Sequence, residues 1–504
     1  MKKIIVLLIL LTIAMVACST GEVEEKSLVI LQGVDATTLD PIMHTDTPTG
    51  NIEYQIFDTL LTRNSNMEIV PLVAKAYQSV SDTEWLITLE ENIRFHNGTS
   101  LTAKDVIFSI ERILEEDNNS PRMGYYNSIT GLERLSEYEV KITTDSPNPV
   151  LLSRLAELRI VPKEYVEEVG NSYFSQNPIG SGPYKLISWV KDEEIILVKN
   201  EDYWQGEVDI EKVIFKPVPE SAARVMALQA NQADIITNVP PHQVKEIDEV
   251  NNIQTLSVDS TRFIMLAQTM KNDLVNDIKV REAINLAIDV ESIIKNILGG
   301  NATLSTQPVC NFDVGYSPYI EPHGYDYVKA KELFEEAGVL GKTITMQSPS
   351  GRYSMDREVA EAIKANLEQS GMRVDLQFID WASYVGSIIS GEINADIWLI
   401  GWASATFDAG TTLKQWLHSS LPMSQYRLEH SRNEYIDSLI DKGLSTLNDL
   451  EREKIYHEII EEISNDIPFV NLYQQRDIYG SNTRIKWEPR SDEVIKVKEI
   501  SWNE

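Results

Sequence analysis

Strand-like and helix-like patterns alternate along most of this chain, and this alternation restricts its fold more than any other feature. In residues 373–378, RVDLQF, every second residue is apolar, as in a strand with one buried face. In residues 277–298, DIKVREAINLAIDVESIIKNIL, apolar residues fall on one helical face, and Gly299-Gly300 predicts its end. Residues 355–371 repeat this pattern and end at Gly371. The alternation predicts an α/β fold.

The chain is too long for one ordinary domain. With 504 residues it should divide into two or three lobes. The turn-rich stretch NPIGSGPY (177–184) predicts a boundary, and residues 301–325 predict a long loop.

The charge balance excludes two classes of partner. The chain has 45 Lys and Arg against 77 Asp and Glu, a formal net charge of −32. Such a chain repels phosphate backbones and anionic lipid headgroups, so we expect no nucleic-acid partner.

The N-terminus resembles a processing segment. Lys2 and Lys3 precede an apolar run that ends at Ala17-Cys18, and polar residues follow at once. Ala17-Cys18 resembles the lipobox of bacterial lipoproteins, in which the cysteine is lipidated, although Met15 departs from the usual Leu. We expect a lipoprotein signal peptide over 1–17, a lipidated Cys18 and a tether over 18–27. The alternative is an ordinary secretory signal, and either segment predicts export.

Cys310 is the other cysteine, so lipidation of Cys18 would leave no intramolecular disulfide. We expect Cys310 to be a buried or loop residue without a reactive thiol. No other long apolar stretch occurs, which predicts a protein anchored to a membrane but not spanning it.

Several long segments resemble, in order, the peptide-type solute-binding proteins of ABC importers, family 5, which includes dipeptide, oligopeptide and nickel binders. These segments cover residues 70–114, NPIGSGPYKLISW (177–189), NEDYW (200–204), VREAINLAID (280–289) and GWASATFDAGTTLKQWLHS (401–419). The resemblance extends over the mature chain, 18–504.

The resemblance implies a periplasmic-binding-protein-like clamp of type II (cluster C), with two lobes and an accessory domain. It implies a discontinuous lobe I (28–60, 177–257 and 475–504), an accessory domain II (61–176) and a lobe III (258–474). Ligand would bind between lobes I and III. A clamp that closes removes water from a small polar ligand, which strengthens its hydrogen bonds and charge pairs.

Trp402 follows the apolar run Ile397–Ile400, which predicts a buried strand. Ligands of open α/β lobes bind beyond the carboxyl ends of strands, so Trp402 and the loop 403–412 are expected at the crevice. In the family, this Trp packs on the ligand. The alternative is a core tryptophan.

Ala405 occupies a position at which peptide binders of this family carry an Asp that pairs with the ligand's α-ammonium. A methyl group cannot replace that carboxylate. Asp408 could bind a displaced amine or cap a helix that begins near Thr411. This stretch and residues 33–52 look more like the subgroup labelled glutathione-binding, whose γ-linked ligand has its ammonium in another place.

Arg352, in SPSGRYSMDREVAEAI (348–363), matches a family position at which Arg binds a peptide carboxylate. The alternative is a surface Arg. The polar loop HTDTPTG (44–50) is expected at the cleft, which makes Thr45, Asp46 and Thr47 candidates. Tyr125 and Tyr126 are candidates at the edge of domain II, or packing residues.

Enzyme signatures are missing. His457-Glu458 lacks the second histidine of HExxH, GVLGK (338–342) has the wrong spacing for a Walker loop, and no G-x-S-x-G occurs. The seven histidines show no zinc spacing. We therefore expect no enzymatic activity, no cofactor and no metal ligands.

The sequence thus predicts a monomeric extracytoplasmic lipoprotein, on the periplasmic side or outer face of the cell membrane. It would deliver a short peptide or glutathione-like solute to an ABC transporter permease. The alternatives are a binder of chelated nickel and a receptor that senses peptides.

Overall fold

The computed structural model describes residues 26–270, 273–424 and 430–503. The predicted signal peptide, Cys18 and the tether up to residue 25 lie outside these residues. Within the described ranges, no helix has the length and apolar character needed to cross a membrane.

The strands alternate with helices along the chain. The strands, numbered in chain order, are β1 Ser27–Gln32, β2 Leu61–Arg63, β3 Ile69–Pro71, β4 Ala74–Ser81, β5 Glu84–Leu89, β6 Ile129–Arg134, β7 Glu139–Thr144, β8 Tyr184–Val190, β9 Glu194–Lys199, β10 Lys212–Pro217, β11 Ile235–Ile236, β12 Ile253–Gln268, β13 Ala302–Leu304, β14 Thr343–Ser348, β15 Arg373–Phe378, β16 Ile397–Ala403, β17 Phe469–Asn482, β18 Ile485–Lys486 and β19 Ser501–Trp502. The α-helices are Thr47–Ile56, Ala103–Leu114, Met123–Tyr126, Leu151–Leu155, Lys163–Val169, Asn171–Phe174, Ser221–Gln229, Val244–Asp248, Ile278–Ala287, Val290–Asn296, Tyr327–Glu336, Asp356–Gln369, Trp381–Ile389, Ala409–Leu417, His430–Leu444 and Asp449–Ser464. The predicted α/β class is confirmed.

In the described part of the chain, eleven strands form one mixed sheet. Its order is β15-β14-β16-β12-β17-β11-β1-β10-β9-β8, and β13 pairs with β17 outside this path. β14 pairs in parallel with β15 and β16, whereas β12 and β17 pair antiparallel. A separate four-stranded sheet has the order β4-β5-β7-β6.

Buried apolar side chains form separate cores. One core extends from Phe263 to Tyr473 and includes the helices around β14 to β16. A second lies on β1 and β8 to β10 and takes in C-terminal residues such as Trp487. A third, from Ile42 to Ile160, lies on the four-stranded sheet. Separate cores allow these regions to move as units.

The long strands β12 and β17 join two of these regions. Their pairing shifts register between Asp259 and Phe263 of β12, opposite Arg476 and Gln474 of β17. Such irregularities bend and twist paired strands. The predicted boundaries of lobe III, 257/258 and 474/475, fall within these strands beside the shift.

The predicted continuous helix over 277–298 is wrong at one point. The structure has two helices that meet at Ile288 and Asp289. The Asp289 carboxylate accepts a hydrogen bond from the Ser292 N–H, so it caps a second helix where the periodicity predicted no break. By contrast, the helix predicted over 355–371 is confirmed, with Gly371 at φ +95° just after its end.

The predicted loop over 44–50 is also wrong in its second half, because a helix begins at Thr47. The carboxylate of Asp46 accepts a hydrogen bond from the Thr49 N–H at 3.0 Å, and Pro48 occupies the first turn. Proline is compatible with this position, since its missing N–H would have no intrahelical partner there.

Candidate functional site

A cavity lies between the helix Thr47–Ile56, the domain with the four-stranded sheet, the middle of β12 and the end of β16. Its volume is about 170 Å³, room for roughly a dozen water molecules. The lining residues come from segments 44–63, 122–159, 261–262, 352, 381–423 and 490–496. Distant parts of the chain therefore supply each wall.

Trp402 lines this cavity as the penultimate residue of β16. It pairs with Phe263 of β12, and its ring meets Trp416 edge to face with centroids 5.5 Å apart. The apolar strand before it is confirmed as buried. Trp402 itself is half-buried, so part of its indole faces the cavity.

Arg352 lines the cavity and is 6% exposed. Its guanidinium lies 5.2 Å from the ring centroid of Trp381, and its Nη2 lies 3.9 Å from the nearest Glu493 oxygen. Within the described residues, its Nε has no hydrogen-bond partner. Burial and the neighbouring Arg262 lower the pKa of Arg352. The Arg352 guanidinium can therefore donate hydrogen bonds to a further carboxylate.

The turn that carries Arg352 is shaped by Asp356. Its carboxylate accepts hydrogen bonds from the N–H groups of Gly351, Arg352 and Tyr353, at 2.8–3.0 Å. Burial raises the pKa of Asp356 to about 6. Gly351 has φ +84°, and a Cβ there would lie 2.5 Å from the Pro219 carbonyl oxygen. The backbone around Arg352 is thus fixed before any ligand arrives.

Thr45, Asp46 and Thr47 all line the cavity. The Thr47 hydroxyl accepts a hydrogen bond from Arg262 at 3.0 Å. Although burial opposes ionisation of Asp46, its hydrogen bond with His44 lowers the pKa to about 2. The wall beside the N-terminal helix therefore contains an ionised carboxylate.

The structure separates the two candidate tyrosines. Tyr125 lines the cavity, with the Arg154 guanidinium 3.9 Å from its ring centroid. Tyr126 is 1% exposed, is not part of the lining and donates its hydroxyl proton to the Arg154 carbonyl at 2.8 Å. Tyr126 is thus a packing residue.

Asp408 lies behind the cavity wall, 2% exposed, and its carboxylate already has three donors. Gly410 N–H donates at 3.0 Å, the Tyr456 hydroxyl at 2.7 Å and Arg452 Nε at 2.7 Å. Of the two alternatives for Asp408, this geometry shows the helix cap, for the helix that begins at Ala409. Ala405, in contrast, does line the cavity.

Sequence reasoning missed the basic residues of the wall. Besides Arg352, the lining includes Arg63, Arg122, Arg154, Arg159, Arg262, Arg490 and Lys496. One local signal existed: two arginines interrupt the apolar stretch VLLSRLAELRIV (150–161). Arginines in a buried segment need partners, but nothing nearby in sequence identifies those partners.

The remaining titratable groups do not form a metal centre. Within the described ranges, no group of three or more His, Cys, Asp or Glu side chains is placed to bind a metal ion. Cys310 is buried, and burial raises the pKa of its thiol. A buried thiol with a raised pKa is a poor nucleophile.

Comparison with curated proteins and solved structures gives consistent results. The oligopeptide-binding protein AppA of Bacillus subtilis (strain 168) is 25% identical and aligns over 94% of this chain and 91% of its own length. The glutathione-binding protein GsiB of Pectobacterium atrosepticum is 25% identical over 91% of each chain. The periplasmic binding protein DppA of Helicobacter pylori, solved in complex with the peptide STSA, superimposes with a TM-score of 0.87. It is 27% identical and covers 95% of this chain and 98% of its own.

The family model for bacterial extracellular solute-binding proteins, family 5 Middle, matches residues 68–422, well over half of the chain. The predicted clamp fold is therefore confirmed by structures that cover nearly the whole chain. The chain belongs to the bacterial extracellular solute-binding proteins of family 5.

Proposed function

We propose that this protein captures a short peptide or glutathione-like solute in the described cavity and delivers it to the permease of an ABC importer. The observation that carries this proposal is Arg352, a buried guanidinium on the cavity wall whose Nε lacks a partner within the described residues. A carboxylate is the acceptor whose geometry and charge match a guanidinium.

The opposite charge of a zwitterion has a partner in the same cavity. Asp46 is ionised, since its pKa is about 2, and it lies close enough to Arg352 for the two charges to interact. Thr49, Thr37 and His44 already contact the Asp46 carboxylate, but Asp46 lines the cavity and Asp408 does not, so a ligand ammonium could add to these partners. Trp402 offers an aromatic face to the ligand's apolar part. Ala405 supplies no charge, which is consistent with an ammonium in an altered position.

Closure of the lobes would bury the ligand. We assign 28–60, 177–257 and 475–504 to lobe I, 61–176 to domain II and 258–474 to lobe III. The separate cores and the register shift between β12 and β17 support this division. A hinge in two paired strands allows the lobes to rotate without breaking either core. The closed form is then the one that ligand stabilises and a permease can distinguish.

We also propose an extracytoplasmic monomer, anchored by lipidated Cys18 through the tether 18–27. The membership in an extracellular family supports export. The protein would have no enzymatic activity, because recognition by charge and stacking requires no nucleophile or acid–base pair.

The nickel-chelate alternative has less support in the described residues. His44 lies in the cavity wall, but it already bonds Glu53 at 2.7 Å and lies 3.5 Å from Asp46. Despite burial, these two carboxylates raise the pKa of His44. Ligation of a metal requires the neutral imidazole, so a raised pKa and a carboxylate partner both disfavour His44 as a ligand.

The proposal is tested by thermal melts and calorimetry of the purified protein with glutathione, peptides of two to five residues and nickel–histidine. A ligand that binds the folded state raises the melting temperature by mass action. We expect glutathione or a peptide to do so. A shift with the nickel complex alone would contradict the proposal.

A further inference from the structure

The end of the cavity beside the accessory domain II collects positive charge, although the whole chain has a net charge of −32. Five residues of this wall are called here the accessory-end cations: Arg63, Arg122, Arg154, Arg159 and Lys496. Arg63 is half-buried and the other four are buried. Buried cations are costly unless negative charge lies close to them.

Glu157 is the main carboxylate at this end. Its Oε2 accepts a hydrogen bond from Arg154 at 3.0 Å. Although burial opposes ionisation, Arg154, Arg122 and Arg159 together lower the pKa of Glu157. One carboxylate thus interacts with three guanidinium groups.

The neighbouring carboxylates already bind other side chains. Glu53 lies 3.1 Å from Arg159 but also accepts from His44 at 2.7 Å. Asp492 is bonded through both oxygens to Arg490, at 2.7 and 2.9 Å. These two acids act on Arg63, Arg122 and Lys496 only from a greater distance, and Lys496 has its own salt bridge, with Glu499 at 3.9 Å.

Arg63 and Arg122 have no salt bridge in the part of the chain that the structure describes. Arg63 donates to the Ala405 carbonyl and the Ser153 hydroxyl, and Arg122 donates to the His44 carbonyl. These acceptors are neutral. These two guanidinium groups therefore have no direct carboxylate contact, although Glu157 and Glu53 act on Arg122, and Glu157 and Asp492 on Arg63, from a greater distance.

Two of the guanidinium groups are presented in a way that suits an anion. Arg154 lies 3.9 Å from the ring centroid of Tyr125, and Arg159 lies 4.4 Å from that of Tyr54. In the described structure, Arg154 Nε lacks a hydrogen bond, whereas Arg159 Nε lies 3.1 Å from Glu53 Oε2. A guanidinium stacked on a ring is fixed in orientation and keeps N–H groups on its edge for an acceptor.

We propose that the accessory-end cations bind a second acidic group of the ligand, so that the solute is a net anion with at least two carboxylates. One carboxylate would bind Arg352 and the other would bind at the accessory end. This inference rests on the proposed function, because it takes the ligand to occupy this cavity. It narrows the ligand from peptides in general to acidic ones and glutathione-like dicarboxylates.

Two tripeptides of nearly equal size test the proposal. Glu-Ala-Glu and Gln-Ala-Gln differ in two side-chain charges and almost nothing else. By calorimetry at neutral pH, we expect Glu-Ala-Glu to bind about tenfold more tightly or better, because close buried charge pairs carry at least that much coupling. We also expect added salt to weaken Glu-Ala-Glu more than Gln-Ala-Gln.

Substitutions test whether the preference for Glu-Ala-Glu over Gln-Ala-Gln arises at the accessory end of the cavity. Arg63→Gln, the least buried of the five cations, should reduce binding of Glu-Ala-Glu about tenfold and leave Gln-Ala-Gln unchanged. Lys496→Gln provides a second variant if the first folds poorly, which a thermal melt detects. Arg134→Gln is the matched control, since Arg134 is exposed on the same domain.

The outcomes separate this inference from the proposed function. If Gln-Ala-Gln binds as tightly as Glu-Ala-Glu, or if the variants weaken both equally, the second acidic site is wrong while the peptide function stands. If neither tripeptide nor glutathione binds, the proposed function fails and this inference fails with it.

Discussion

The two ends of the cavity are both rich in arginine, yet they differ in how that charge is compensated. The end of the cavity that contains Arg262 and Arg352 is called here the hinge end. There, these two arginines face two ionised acids, Glu493 and Asp46. At the accessory end, at least two cations have only carbonyl and hydroxyl oxygens as partners in the described structure. Arg122 is as buried as Arg262 and Arg352, so for these three arginines the difference is a direct carboxylate contact rather than burial.

At the hinge end, a carboxylate compensates the positive charge of a buried arginine. Arg262 donates to Glu493 Oε2 at 2.8 Å, to the Gly401 carbonyl at 3.0 Å and to the Thr47 hydroxyl at 3.0 Å. Burial opposes both charges, but the pair lowers the pKa of Glu493 and raises that of Arg262. A network of this kind fixes the hinge strands, whereas an uncompensated one leaves charge for a ligand.

The largest expected effect comes from removing the compensation at the hinge end. Glu493→Gln removes the carboxylate that bonds Arg262 directly and leaves Arg262 and Arg352 buried beside one another, with Asp46 and Asp477 as the nearby acids. We expect a loss of about 3–5 kcal/mol in the free energy of unfolding, the range found when one partner of a buried ion pair is removed. Urea denaturation measures it, with the exposed Glu488→Gln as control. If Glu493→Gln and Glu488→Gln were equally stable, Glu493 would not compensate the buried arginines, and the two ends of the cavity would not differ in charge compensation.

A smaller loss, of ligand affinity, is expected from Arg352→Ala. This change removes the proposed anchor of a ligand carboxylate and costs about 2–5 kcal/mol of binding if the charge pair is buried. Folding should be affected less than by Glu493→Gln, because the change also relieves repulsion from Arg262. Calorimetry with the ligand that stabilises the wild type gives the answer, and a change of the exposed Arg373 on β15, Arg373→Ala, is the control. Unchanged affinity would exclude Arg352 from the site.

The smallest effect concerns pH at the accessory end. Burial and the nearby Arg490 lower the pKa of Lys496 to about 8, while Glu499 and Asp492 oppose this shift and Lys498 adds to it. An acidic ligand prefers the protonated lysine, so its affinity should fall by about 1 kcal/mol as pH rises through 8. Affinity measured across this range should flatten in Lys496→Met, and an equal slope in that variant would contradict the assignment.

Folding stability should respond to Lys496 in the opposite direction. Below about pH 8, both the folded and the unfolded chain carry the proton. Between about 8 and the ordinary value of 10.5, the unfolded chain binds more protons, so this group makes stability rise with pH. Opposite slopes for affinity and stability would distinguish a ligand contact from a purely structural lysine.

The local parts of the fold were predictable because local patterns encode them. The buried strand before Trp402, the strand over 373–378 and the helix that stops before Gly371 all follow from periodicity and a glycine. The errors arose where a single side chain changed the backbone. Asp46 caps a helix where a loop was predicted, and Asp289 starts a second helix where an unbroken one was predicted.

The candidate site was less predictable, because its properties depend on partners far away in sequence. Asp408 looked equally suited to bind an amine or to cap a helix, and the choice depended on Arg452 and Tyr456, more than forty residues away. Adjacent Tyr125 and Tyr126 could not be separated by sequence, yet one lines the cavity and the other is buried.

The sequence by itself determined the α/β class, the family and the strand that ends at Trp402 on the cavity wall, since periodicity and motifs are properties of neighbouring residues. Only the tertiary structure decided which charges are compensated. The arginines of the cavity wall lie between residues 63 and 490, and each acts according to whether a carboxylate comes within a few ångströms of it. Coulomb interactions between buried groups depend on distance in space and on exclusion of water, and neither quantity is written in the order of the residues.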